Sequence, residues 1–284
     1  MIIDVLKDGF KTVKEHKWVI LGMWLPSFIV GLIANGFSNS SSVTSAAASA
    51  TYNPSAFLNA IQGSFFAMII ISLIVTLLKV SLQMGLFQSD TDGKFEFKKA
   101  FVGFKDLTWI SIIGISFLVG LIGMVFFFIF GIAVAGFAIT GISQQNAMFF
   151  AIAAAVALIG VAVYAYIALG LYFVYLSYYA DTKKEDNGLF KAFPKTWKLM
   201  KGHRYQLLGL VVLQALMFVA AVIVFGALSV FAIWLVSLIH VTGFAVALAI
   251  ILGLVIFVAG LVVFLFFQFW FTMNGIKFFE RLNK

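Results

Sequence analysis

Residues 196–228 read TWKLMKGHRYQLLGLVVLQALMFVAAVIVFGAL. A segment rich in lysine, arginine and aromatic rings, with no acidic partner, runs directly into more than twenty residues that are almost all apolar. Wound as an α-helix at about 1.5 Å per residue, such a run spans the roughly 30 Å hydrocarbon core of a bilayer. The boundary near Tyr205 therefore reads as the place where the chain leaves a charged interface and begins to cross.

The rest of the chain repeats that contrast. Of 284 residues, 63% are hydrophobic and 11% charged, with a mean hydropathy of +1.10, which excludes an ordinary soluble domain. Three apolar runs stand out, Trp18 to Leu78, Leu107 to Ala180 and Tyr205 to Ile276. Each is too long for one helix and is broken near its middle, by FSNSSSVTSAAASATYNPSAF, TGISQQN and SLIHVTG. The expectation is an all-α polytopic membrane protein, one membrane domain over 1–284, with six transmembrane helices near 18–36, 56–87, 107–139, 147–180, 205–237 and 242–276.

Charge placement gives an orientation. All 19 lysines and arginines fall before the first span, in or near the even-to-odd connections, or after the last span, and the 11 acids do the same. Basic residues are retained on the cytoplasmic side during insertion, so both termini are expected to be cytoplasmic, in a cell membrane of the bacterial inner-membrane type. Trp18, Trp109, Tyr178, Tyr179, Tyr205 and Trp270 lie near the same predicted boundaries, where amphipathic rings favour the headgroup level. The opening residues carry acids among bases and no small-residue cleavage site, so the first span is expected to be permanent. Cysteine is absent, which removes disulfides, thiol catalysis and thiolate metal sites.

The segment before the fifth span has two relatives. VLKDGFKTVKEHKWVILG precedes the first span, FKKAFVGFKDLTWISIIG the third and LFKAFPKTWKLMKGHRYQLLG the fifth. Phe10, Phe101 and Phe193 correspond, as do Gly22, Gly114 and Gly209. Three repeats follow, about 1–90, 91–182 and 183–284, each an amphipathic interfacial helix and a two-span hairpin. Lysines on such a helix would face headgroups while its aromatic residues dip among acyl chains. The alternative is packing against the bundle's own inner end. Pro194 is expected to interrupt the third short helix, and Gly202 to stop it in a left-handed turn. Because each repeat holds two spans, all three share one orientation, which permits a pseudo-threefold axis along the membrane normal. Mitochondrial carriers share that architecture, but their Pro-acid-base signature is missing here.

Chemistry-bearing motifs are sparse. No nucleophile elbow, zinc-protease helix or phosphate loop is present. His16 and His203 fall at inner boundaries and His240 on an outer loop, so no metal site is expected, and no cofactor. Asp90 and Asp92 in SDTDGK have a spacing that can hold Mg²⁺, yet the cluster reads more simply as a solvated turn. Lys79 sits eleven positions before Asp90, deep in the second span. It either snorkels to the headgroups or lines a cavity with Gln83, Gln214 and Gln268. Gly120, Gly123, Gly131 and Gly136, with the AIAAAVALIG run, mark close helix approaches.

The stretch LSYYADTKKEDNGLFKAFPKTWKLMKGHRYQLLGL, through Thr196, Trp197 and Gly202, resembles the middle of the YciC-type bacterial inner-membrane family. It is also similar to the membrane domain fused to glycerophosphodiester phosphodiesterases. The resemblance implies the six-span layout and carries no enzymatic role over, because the family has no agreed activity; a catalytic barrel is not expected after Ile276. The functional expectation is a non-enzymatic membrane component that binds anionic lipid headgroups, or a membrane protein partner, through Lys98, Lys99, Lys105, Lys191, Lys195, Lys198, Lys201 and Arg204. No nucleic-acid partner is expected. The alternative is a transporter or channel along the pseudo-threefold axis, past Lys79 and the glutamines.

Overall fold

A computed structural model describes residues 1–38, 54–181, 188–237 and 242–283. The first outer loop, the turn bearing Lys183 and Lys184, and His240 lie outside them. Every regular element among the described residues is helical: α1 (Ile2–Ser38), α2 (Pro54–Asp92), a 3₁₀ helix (Phe97–Phe104), α3 (Thr108–Gln144), α4 (Ala147–Leu171), α5 (Val174–Asp181), α6 (Leu189–Leu199), α7 (Arg204–Ser237) and α8 (Thr242–Leu282). Six stretches are long and apolar enough to cross a membrane, within Ile2–Ile33, Ile69–Asp92, Thr108–Gln144, Ala147–Asp181, Arg204–Ser237 and Val246–Leu282. Their flanks carry bulky exposed apolar side chains such as Phe127, Leu158, Ile223 and Phe257, the surface a lipid-immersed helix presents.

α1 is kinked at His16, which leaves helical geometry (φ −114°, ψ 20°), so the helical segment before the first span and the span itself meet at a break. Two local features depart from expectation. The fourth span breaks between Leu171 and Val174, with Phe173 buried and Tyr172 exposed at the joint. Pro194 does not interrupt α6, which continues to Leu199. Pro194 is exposed there, so the carbonyl deprived of its helical donor can meet solvent. Gly202 takes φ 88°, the left-handed stop that its position called for.

The chain groups into two compact units, Trp18–Lys201 and Met1–Lys17 with Gly202–Lys284. In the first, α3 pairs with α4, and the end of the bundle is filled by Val80, Met84, Ile112, Ile115, Val174, Tyr178 and Ala192. These come from α2, α3, α5 and α6, so one core joins four elements at the ends of the spans. In the second unit α7 pairs with α8, and Leu6 and Phe10 of the N-terminal segment touch α8. Trp270 Nε1 donates to the Leu6 carbonyl at 3.0 Å, and the Phe10 ring meets that of Phe266 edge-on at 5.5 Å.

Candidate functional site

The two short helices between spans each have a docked and an open face. On the 3₁₀ helix Ala100, Val102 and Gly103 are buried, while Phe97 and Phe104 are exposed by 50% and 44%. On α6 Ala192 and Thr196 are buried, while Phe190 is 74% exposed and Trp197 is also open. Small residues therefore dock, because only they let backbones approach closely. The large rings stay outside beside Lys98, Lys191 and Lys198, all exposed.

A serine fixes the 3₁₀ helix on α2. The Ser81 hydroxyl donates to the Ala100 carbonyl at 2.7 Å and accepts the Gly103 N–H at 2.8 Å. Those two backbone groups are three residues apart, the pair a 3₁₀ turn would join directly. Gly85 makes the approach possible, since a Cβ there would collide with the Lys99 carbonyl. Three further glycines are covered in a related way: Gly22 faces the Phe97 ring at 3.6 Å, Gly114 faces Leu189 at 2.6 Å and Gly209 faces Ile2 at 3.4 Å, measured from a Cβ placed on each.

The basic residues divide by what they touch. Lys99 bonds Asp92 at 3.1 Å and the Lys94 carbonyl at 2.8 Å. Lys195 bonds both carboxylate oxygens of Asp181. Arg204 is buried, 6% exposed. Lys98, Lys105, Lys191, Lys198 and Lys201 are exposed. Of the residues weighed for a cavity, Lys79 is exposed and Gln83 partly buried in one unit. In the other, Gln268 is exposed, and Gln214 is buried with its Nε2 lacking a hydrogen-bond partner among the described residues. Asp90 and Asp92 close the end of α2, and Gly93 (φ 66°) turns the chain after them.

A polar cavity of about 350 Å³ opens between the end of α2, the start of α3 and α5. Gln88, Val102, Lys105, Asp106, Thr108, Tyr178 and Tyr179 line it. The Tyr179 hydroxyl donates to Gln88 Oε1 at 2.9 Å, which holds the amide at the wall. Asp106 and Leu107 are both left-handed (φ 48° and 60°), a conformation that costs non-glycine residues roughly 1–3 kcal/mol each. This doublet brings consecutive Lys105 and Asp106 to one cavity before the chain enters α3. Of the lining residues only Lys105 was expected from sequence to bind a ligand, and Tyr178 and Tyr179 were marked only as boundary aromatics. Gln88 and Tyr179 are 91 residues apart, and the sole signal was the inner-boundary position of the tyrosine pair.

These features define a polytopic, all-helical membrane protein whose span ends carry docked, lysine-bearing short helices. No protein-family model matches the chain, and neither does any curated protein or solved structure.

Proposed function

We propose that this chain is a non-enzymatic membrane protein that binds anionic lipid headgroups through a basic cytoplasmic face. The observation that carries the reading is the open face of the short helices. Phe97, Phe104, Phe190 and Trp197 are exposed beside exposed lysines, although small residues on the other face are buried. Exposed rings next to ammonium groups suit the boundary between acyl chains and anionic headgroups, where each basic residue contributes about 1 kcal/mol of attraction. The absence of acids and bases from the opposite loops agrees with that side being the cytoplasmic one.

The threefold repeat belongs to the same reading. Corresponding glycines Gly22, Gly114 and Gly209 each receive an apolar side chain from the next short segment in cyclic order, Phe97, Leu189 and Ile2. That order is what a threefold repeat of short helix and hairpin would give, and each contact lies within one unit. The resemblance of the region around Thr196, Trp197 and Gly202 to the YciC-type family is compatible with a protein that lacks its own active site.

The test is the lipid that accompanies the purified protein. Replacing Lys98, Lys191, Lys198 and Lys201 by Gln keeps the side-chain length and removes four exposed charges. The anionic fraction of bound phospholipid, measured by mass spectrometry, is expected to fall severalfold. An unchanged lipid profile in a folded variant would remove the proposal.

A further inference from the structure

We propose that the cavity lined by Gln88, Lys105, Asp106, Tyr178 and Tyr179 is a selective pocket for a zwitterionic headgroup, a phosphodiester carrying a primary amine, with Lys105 on the phosphate and Asp106 on the ammonium. The inference rests on the proposed headgroup-level position of this end of the unit.

The chemistry of the wall argues for that class. At about 350 Å³ the cavity falls within the range of small-molecule sites, roughly 300–1,000 Å³. Its two charged residues are one ammonium and one carboxylate, so its formal charge is zero. Neither forms an ion pair among the described residues. A ligand bearing one charge of each sign would give both side chains a partner. A purely anionic headgroup would pair with Lys105 but leave Asp106 without a cation and set its own charge near that carboxylate. The phenols, the Thr108 hydroxyl and the Gln88 amide supply neutral hydrogen-bonding groups for phosphate and glycerol oxygens.

The surroundings argue for a lipid source. The cavity lies where α2 ends and α3 begins, both helices of membrane-crossing length. Phe104, Leu107 and Trp109, the sequence neighbours of Lys105 and Asp106, are exposed by 44%, 66% and 40%. Apolar side chains flanking a polar cavity at that depth provide for acyl chains as well as a headgroup. A free glycerophosphoamine has the same headgroup but no use for those flanks.

The experiment titrates detergent-solubilised full-length protein with short-chain phosphatidylethanolamine, phosphatidylglycerol, phosphatidylcholine or water-soluble glycerophosphoethanolamine, and follows thermal stability. Phosphatidylethanolamine is expected to protect at the lowest concentration. Phosphatidylcholine should be weaker, because its quaternary amine has no N–H for Asp106. Lys105→Gln and Asp106→Asn should each raise the concentration needed by about tenfold, the loss of one charge-assisted hydrogen bond. Asn tolerates the left-handed conformation at 106, so that variant should remain folded. Asp106→Asn should also bring phosphatidylglycerol level with phosphatidylethanolamine. Equal protection of the natural protein by both lipids, or no response to either substitution, would overturn the pocket. Protection by the water-soluble headgroup as strong as by the lipid would overturn the lipid source. Because Lys105 and Asp106 are not in the four-lysine variant, a failure here is separable from a failure of the wider reading.

Discussion

Replacing Ser81 by Ala should release the 3₁₀ helix from α2. The hydroxyl is fully buried and satisfies two backbone groups at once, the Ala100 carbonyl at 2.7 Å and the Gly103 N–H at 2.8 Å. A buried polar group stripped of its partner costs about 1–3 kcal/mol, and two are stripped here. If the two groups then bond each other directly, part of that is recovered, which leaves about 2 kcal/mol as the expected net weakening of docking. That is roughly a thirtyfold rise in the undocked population. The chain has no cysteine of its own, so a single Val102→Cys reporter, at a site 7% exposed, can read this population by its alkylation rate in detergent. The matched control is Ser177→Ala. Its hydroxyl is also fully buried but has no hydrogen-bond partner among the described residues, so its removal strands nothing. A labelling rate at 102 that is the same with and without Ser81→Ala, or that rises equally with Ser177→Ala, would refute the reasoning.

Three further outcomes follow from the same geometry. Gly85→Ala should cost at least about 2 kcal/mol, since its Cβ meets the Lys99 backbone, whereas Gly120→Ala, in open space, should gain about 0.5–1 kcal/mol in thermal unfolding. Trp270→Phe should lower stability by about 1 kcal/mol through loss of the hydrogen bond to the Leu6 carbonyl, with most of the ring packing kept. Asp8→Asn, which removes the carboxylate charge from its 2.6 Å pair with Arg281, should change the unfolding midpoint little, because a partly exposed pair is worth about 1 kcal/mol or less; a large, salt-sensitive loss would contradict this.

The membrane helices were legible because hydropathy averaged over a bilayer's thickness is a strong signal, and the positions of Lys, Arg, Asp and Glu bound them closely. The docking faces were legible only in part. The apolar stripes read from periodicity, Phe97, Ala100, Phe101 and Phe104 and then Leu189, Phe190, Phe193, Trp197 and Met200, include the buried Ala100 and Met200 but not the buried Val102, Gly103, Ala192 and Thr196. Small residues carry little hydropathy, so their use for close backbone approach is invisible until the facing element is known. The break at Tyr172 and Phe173 has no proline or glycine within it to announce it. The polar cavity was hidden for another reason: Gln88, Asp106 and Tyr179 are unremarkable singly, and only the fold places them on one wall. Lys105 was marked as one of the bases clustered between the second and third spans.

The bond from Trp270 to Leu6 joins residues 264 apart in the chain. At a synthesis rate of roughly 5–20 residues per second, the opening segment waits about 10–50 s before its seat has been made. Throughout that interval the Leu6 carbonyl and the Phe10 ring lack their partners on α8, Trp270 and Phe266. The last event in biogenesis is then a fastening of the earliest-made residues onto the latest. Ribosomes that stall before Trp270 would leave a nascent chain whose first turns are open to proteases, even with its other helices already in the bilayer.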